Sequence, residues 1–221
     1  MLSEEQIQIL EKYNMDKNKI MKTGNMIYPY AYVDLDGLLI LDLIGIDDSY
    51  FNFMNIEELI QKRTDKIKEC IENEDYETIL FLLDKPYRLQ TYENIFYLIP
   101  DDKKYDIFIS VYVSAEYGFN DISEDFLDEI LEYRPNKEFP ELDEELIICR
   151  GEGKESTNKE YALSWTTDIK IAEFFANRFG DNGVIYKGKV KKEDIIDFIQ
   201  DRGESEVLVK YEYIYDVEKI N

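Results

Sequence analysis

The chain has 221 residues, 44% hydrophobic and 14% aromatic, enough to bury the core of one large domain or two small ones. It has 49 acidic against 26 basic side chains, but few prolines and glycines, so the acidic residues belong to a folded surface rather than a disordered tail. Histidine is absent, which excludes Ser-His-Asp and Cys-His catalysis and histidine-ligated zinc. Any chemistry must therefore use carboxylate, hydroxyl, arginine or lysine groups.

The charge is concentrated in the first two thirds of the chain. Residues 1–149 carry 34 acidic and 14 basic side chains, net −20, whereas residues 150–221 are net −3. Such a surface repels phosphates, so we expect no binding to a nucleic-acid backbone. A basic protein, or an immunity partner, on this acidic region stays open as an alternative to a merely solubilising surface.

The sequence lacks the usual signs of export, membrane insertion or metal binding. Its start, Met1 to Glu5, is acidic where a signal peptide is basic, and no apolar run approaches the roughly 20 residues of a membrane span. Cys70 and Cys149 have no metal-site spacing and indicate reduced thiols. We therefore expect a cytoplasmic protein with no membrane contact and no metal cofactor.

Apolar residues recur at helical spacing through most of residues 1–140. The spacing predicts helices at about residues 3–22, 34–46, 55–73, 75–84, 88–99, 103–116 and 124–133. A proline- and acid-containing stretch, residues 135–143, then indicates a linker or surface loop. We expect residues 1–140 to form an acidic, all-helical region, whose later helices either stand apart or pack as part of the next domain.

Strand signals follow in residues 141–221. Runs of β-branched and aromatic residues predict strands at residues 146–150, 184–190 and within 206–217. A helix is expected from Asp168, as N-cap, to Phe179, and residues 195–199 indicate a short helix or an edge strand. The predicted fold class is therefore α+β, a helical N-terminal region followed by a sheet-rich domain at residues 141–221.

Three short segments of this domain carry groups suited to chemistry. They are Arg150-Gly151 at a strand end, Ser164-Trp165-Thr166, and Glu204-Ser205-Glu206 before Val-Leu-Val. Two carboxylates at i and i+2 point to one side of an extended chain. Arginine offers a planar fork for phosphate, and a serine hydroxyl can hold a carboxylate in one rotamer.

The order of these segments resembles that of the Arg-Ser-Glu class of mono-ADP-ribosyltransferases, which includes clostridial C3-like and binary-toxin enzymes and phage-encoded transferases. Ser164-Trp165-Thr166 stands at the family's Ser-Thr-Ser and Glu204-Ser205-Glu206 at its Glu-x-Glu. The resemblance covers about residues 146–215 and implies two small, mainly antiparallel sheets flanking an NAD cleft. The middle motif departs from the family in Trp165 and Thr166, and only 13 residues separate Arg150 from Ser164.

The resemblance also implies a role for each residue. Glu206 would be the catalytic acid beside the nicotinamide ribose, stabilising an oxocarbenium-like transition state, and Ser164 would orient it. Glu204 would position or deprotonate the acceptor, which the glutamate at this place indicates to be an arginine. The NAD contacts would come from Arg150 and Arg178 (phosphates), Gly151 (nicotinamide carboxamide), Ser164 and Trp165.

Each of these residues also has an ordinary structural explanation. The two glutamates could be a solvated strand end, Arg150 a surface arginine, Ser164 a helix cap and Trp165 a core residue. The leading function is NAD-dependent transfer of ADP-ribose to a protein, with NAD as substrate, by an intracellular toxin, a phage-conflict factor or a regulator. The alternatives are NAD glycohydrolysis, a non-catalytic transferase fold that binds a basic partner, and modification of nucleobases.

Overall fold

A computed structural model gives the fold of the protein. It describes residues 4, 8, 11–12, 14–22, 30–34, 38–43, 53–83, 85–115, 122–154, 156–178, 180, 183–200 and 203–220. The chain divides into two compact units, Met1–Arg134 and Pro135–Asn221. Helices and antiparallel sheets occur together, so the α+β class is confirmed.

The first unit contains an antiparallel sheet that the sequence did not predict. Its strands are β1 (Ile20–Lys22), β2 (Tyr30–Asp34) and β3 (Leu39–Leu43), in the order β1-β2-β3. The expected all-helical region is therefore wrong here, as is the helix at residues 34–46 within its described part. Short apolar runs do not distinguish strand from helix, and here β2 and β3 pair from Tyr30 with Leu43 to Asp34 with Leu39.

Among the residues that the structure describes, five helices follow the sheet in this unit. They are α1 (Phe53–Glu72), α2 (Tyr76–Phe81), α3 (Arg88–Ile95), α4 (Asp101–Ser114) and α5 (Glu124–Glu132). The five corresponding predictions are confirmed. The predicted opening helix is helical at residues 4, 8 and 11–12, but residues 14–16 are not helical, residues 17–19 form a 3-10 turn and β1 follows. Residues 3, 5–7, 9–10 and 13 of the prediction lie outside the described part. No described helix is long and apolar enough to cross a membrane.

Aromatic residues build the core of the helical part. Tyr92 and Phe96 are fully buried, and Tyr92 donates a hydrogen bond to the carbonyl of Lys104 at 2.9 Å. The Lys104 ammonium, 4% exposed, lies 4.0 Å from the centroid of the Tyr133 ring and bonds Asp101 at 2.7 Å. A buried charge is thus compensated by a carboxylate and by aromatic faces.

A six-stranded antiparallel sheet forms the second unit. Its strands are β4 (Glu145–Glu152), β5 (Ser164–Thr166), β6 (Val184–Lys191), β7 (Asp197–Ile199), β8 (Glu206–Leu208) and β9 (Tyr215–Lys219), in the order β7-β8-β5-β4-β6-β9. The predicted strands are confirmed, and residues 197–199 prove to be an edge strand. The structure differs from the two expected sheets, because β4 and β5 join the halves of a single sheet through one pair, Cys149 with Thr166.

The segment before β4 belongs to this unit rather than to the helical region. Lys137 forms a salt bridge with the buried Asp197 at 2.7 Å, and Phe139 is part of the main hydrophobic core. The boundary therefore falls before Pro135, not after residue 140.

The two faces of the sheet are covered differently. One face holds the main core, which includes Ile148, Trp165, Val190 and Val207. Helix α6 (Ile169–Asn177) lies on the other face, where Ala172 and Ala176 pack with Cys149 and Ile185. Asp168 caps the helix by accepting a hydrogen bond from the backbone of Lys170 at 2.9 Å, as predicted.

Glycine lets α6 approach β4 closely. A Cβ placed on Gly151 would lie 1.8 Å from the carbonyl oxygen of Ala172, whereas one on Gly153 would lie 3.0 Å from that of Ala176. Because the first clash is with helix backbone, it cannot be relieved by a side-chain rotation.

Replacing Gly151 by alanine should therefore reduce the free energy of unfolding by at least about 2 kcal/mol, since an added methyl group must displace the helix. Gly153→Ala, the matched control, should cost about 1 kcal/mol at most because its contact is much looser. Urea unfolding of both variants measures the difference. Equal losses for the two substitutions would contradict the close helix packing.

Candidate functional site

The fold brings the three segments singled out in the sequence onto three neighbouring strands. Arg150 lies on β4, Ser164 begins β5 and Glu206 begins β8, and β5 pairs with both of the others. Ser164 and Glu206 are 42 positions apart in the sequence but lie on adjacent strands. This adjacency is what a shared site requires.

The ladder register decides which side chains share a face. Cys149, Thr166 and Glu206 pair in one row across β4, β5 and β8. Paired residues lie on the same face, and so does Ser164, two residues before Thr166. Ser164 and Glu206 are diagonal neighbours, a relation that places Cα atoms roughly 7–8 Å apart. Both are partly exposed, on the face that carries α6.

The side chain of Arg150 leaves β4 on the face opposite to Ser164 and Glu206, because Arg150 directly follows Cys149 along the strand. Its guanidinium then reaches the backbone of the neighbouring segments, donating to the carbonyl of Ser164 at 2.7 Å and to that of Thr157 at 2.7 Å. It also pairs with Glu152 at 3.2 Å, and both side chains are largely buried, with 12% and 16% exposed. The arginine therefore holds β4 and β5 together where their ladder ends. It is a structural tie, which the sequence did not predict.

Thr166 fixes the turn that carries the two glutamates. Its hydroxyl donates to the carbonyl of Glu204 at 2.6 Å and accepts from the backbone N–H of Asp168 at 3.0 Å. Ser205 has a φ of 45°, so the backbone is not extended between Glu204 and Glu206. The expectation that an extended chain points both carboxylates to one side is therefore wrong, because the strand begins only at Glu206.

The remaining predicted contacts are placed as follows. Trp165 is 1% exposed within the main core, so its ring is a core residue, and a ligand contact is contradicted by its burial. Gly151 is required by the close packing of α6, and its backbone contact with a ligand stays a prediction. Arg178 is exposed at the end of α6 and is not on the three strands.

Cys149 lies in the same row as Glu206 but is not suited to nucleophilic chemistry. Burial raises the pKa of its thiol, opposed by the nearby Lys187. A protonated, buried thiol is a weak nucleophile, so Cys149 is not a candidate catalytic residue. Within the described residues, no group of three acidic or cysteine side chains is arranged to hold a metal ion.

Two roles in this region were missed from sequence. Thr166 was assigned to a motif but given no function of its own, although a hydroxyl residue just after a strand core and two before a helix cap is a recognisable signal. Glu152, the partner of Arg150, lies two residues along the same strand and hence on the same face, a spacing visible in the sequence.

Comparison with known proteins adds no relative: no family model, no curated protein and no solved structure matches the chain.

The Arg150 tie can be tested by Arg150→Lys. A single ammonium group cannot serve both carbonyls and the carboxylate, so we expect a loss of about 2–3 kcal/mol in the free energy of unfolding. Arg178→Lys, at an exposed position, should change it by about 0.5 kcal/mol or less. Urea unfolding curves give both values, and a negligible effect at Arg150 would show that its three contacts do not hold the strands.

Proposed function

We propose that the chain is an NAD-dependent mono-ADP-ribosyltransferase that moves ADP-ribose from NAD to a protein side chain. One observation carries the proposal: three segments ordered as in the Arg-Ser-Glu class occupy adjacent strands, with Ser164 and Glu206 on one face. The absence of histidine is consistent with it, because this chemistry requires a carboxylate and not an imidazole.

In the proposed reaction, Glu206 accepts a hydrogen bond from the 2′-hydroxyl of the nicotinamide ribose. The C1′–N bond to nicotinamide breaks, the electron pair leaves with nicotinamide, and positive charge develops on the ribose. A fixed carboxylate beside that charge stabilises the transition state, as carboxylates do in glycoside hydrolysis. Ser164, two residues along the sheet on the same face, limits the orientation of this carboxylate.

Arg150 supports donor binding in this proposal. Three of its five N–H groups are used by Glu152, Ser164 and Thr157 among the described residues. The proposal assigns the other two to a phosphate oxygen of NAD, although the arginine starts on the face opposite to Glu206 and only 12% of its side chain is exposed. It thus combines the structural tie with the phosphate contact that the resemblance implies. Arg178 is proposed as a second, weaker phosphate contact, and Gly151 contributes backbone polar groups only.

The acceptor in the proposal is an arginine of another protein. Its guanidinium nitrogen attacks C1′ and loses a proton, which Glu204 takes up. A positively charged target is attracted by a chain whose first 149 residues carry a net charge of −20, and such attraction weakens with added salt. We place the reaction in the cytoplasm of the cell that makes the protein.

Removing the charge of Glu206 should abolish the reaction with little effect on folding. We expect Glu206→Gln to lower the rate of nicotinamide release from NAD by at least about 100-fold, since the transition-state charge loses its partner. Glu218→Gln, on β9 at the far edge of the sheet, is the matched control and should be as active as the wild type. Chromatographic measurement of nicotinamide provides the rate. Wild-type activity in Glu206→Gln would refute the proposed mechanism.

A second substitution separates transfer from hydrolysis. With agmatine as a soluble guanidinium acceptor, Glu204→Gln should lose roughly 10- to 100-fold in agmatine modification, because the proton acceptor is gone. Nicotinamide release in water should fall far less. If agmatine leaves wild-type release unchanged and no adduct forms, water is the natural acceptor and the chain is an NAD glycohydrolase.

NAD affinity tests the non-catalytic alternative. Isothermal calorimetry of the wild type with NAD should give measurable heat of binding. No binding, together with capture of a basic protein by the acidic first unit, would instead support a partner-binding module.

A further inference from the structure

The residue between the two glutamates has an unusual backbone conformation. Ser205 has a φ of 45°, in the left-handed region that non-glycine residues rarely adopt. Gly203, two residues earlier, is also left-handed with a φ of 68°. Glycine adopts this conformation without steric cost. For serine the conformation is unfavourable, so contacts with the rest of the fold must hold Ser205 in it.

Two hydrogen bonds from the end of β5 hold this conformation. The Thr166 hydroxyl donates to the carbonyl of Glu204 at 2.6 Å, and the Thr167 N–H donates to the carbonyl of Ser205 at 3.2 Å. The peptide groups on both sides of the Ser205 Cα are therefore held by the last residue of β5 and by the residue that follows it. Glu74 and Asp216 also have positive φ values, but neither lies between groups that share a site.

The side chain of Ser205 contributes less than its backbone. No described residue forms a hydrogen bond with the Ser205 hydroxyl. The Ser205 carbonyl, by contrast, accepts a hydrogen bond from Thr167, and the carbonyl of the preceding Glu204 accepts one from Thr166. The position therefore selects for a residue that tolerates the left-handed conformation rather than for a hydroxyl.

We propose that Ser205 is a positioning residue, whose left-handed backbone, fixed by Thr166 and Thr167, sets the direction of Glu206 and divides the two glutamates between donor and acceptor. This inference rests on the proposed function for its catalytic consequence. Its structural part concerns the turn alone and can be tested without NAD.

Two substitutions of similar size distinguish backbone from hydroxyl. Ser205→Asn removes the hydroxyl but keeps a residue that is enriched in the left-handed region, whereas Ser205→Thr keeps the hydroxyl but is β-branched and disfavoured there. We expect kcat for nicotinamide release to stay within about threefold of wild type in the Asn variant. In the Thr variant it should fall roughly 10- to 100-fold with little change in KM for NAD, because the carboxylate is misplaced.

Amide hydrogen exchange provides a readout that does not depend on activity. Protection of the Thr167 N–H should be retained in Ser205→Asn and lowered at least about tenfold in Ser205→Thr, while urea unfolding confirms that both variants are folded. Equal protection in both variants, or activity that follows the hydroxyl, would overturn the inference. If the wild type releases no nicotinamide while the exchange result is as expected, the proposed function fails and the structural role of Ser205 stands.

Discussion

The second unit depends on how β4 and β5 stay joined beyond their single pair, Cys149 with Thr166. Beyond that pair, side-chain hydrogen bonds replace backbone pairing, because the guanidinium of Arg150 donates to the carbonyls of Ser164 and Thr157. The carbonyls of Ser164 and Thr157 are therefore paired although the backbone ladder between the two strands has ended. Ser164 and Glu206 lie nearby on the opposite, partly exposed face of the sheet, where the proposed site is located.

β5 has a central role although it is only three residues long. Its first residue lies on the same face as Glu206, its second fills the core, and its third holds the turn before β8. The three side chains of β5 thus have different surroundings. Because successive side chains of a strand point to opposite faces, one short strand can contribute to both the core and the exposed face. The proposed catalytic carboxylate is positioned by the same strand in two ways, through the ladder and through the Thr166 hydroxyl.

Much of the second unit could be predicted from sequence because its signals are local. Strand composition, the Asp168 cap and the order of the three segments all read directly from short windows. The sheet of β1, β2 and β3 was not predicted in this way, because short apolar runs fit a helix as well as a strand and only the pairing decides between them. The face of Arg150 and the left-handed Ser205 likewise depend on register and on contacts with residues distant in sequence. Sequence alone therefore suggested which residues meet, but not how they are oriented.

The contact between α6 and β4 determines where the second unit can change shape. Since the Ala172 carbonyl occupies the volume of an absent side chain at Gly151, the helix cannot slide along the strand without a collision. Helix α6, β4 and β6 therefore form a closely packed frame. Variation on the outer surface of α6, where Phe174 is 59% exposed, leaves this frame unaltered. The outer surface of α6 is thus the place where substitutions can be introduced without disturbing the contact that fixes the helix on the sheet.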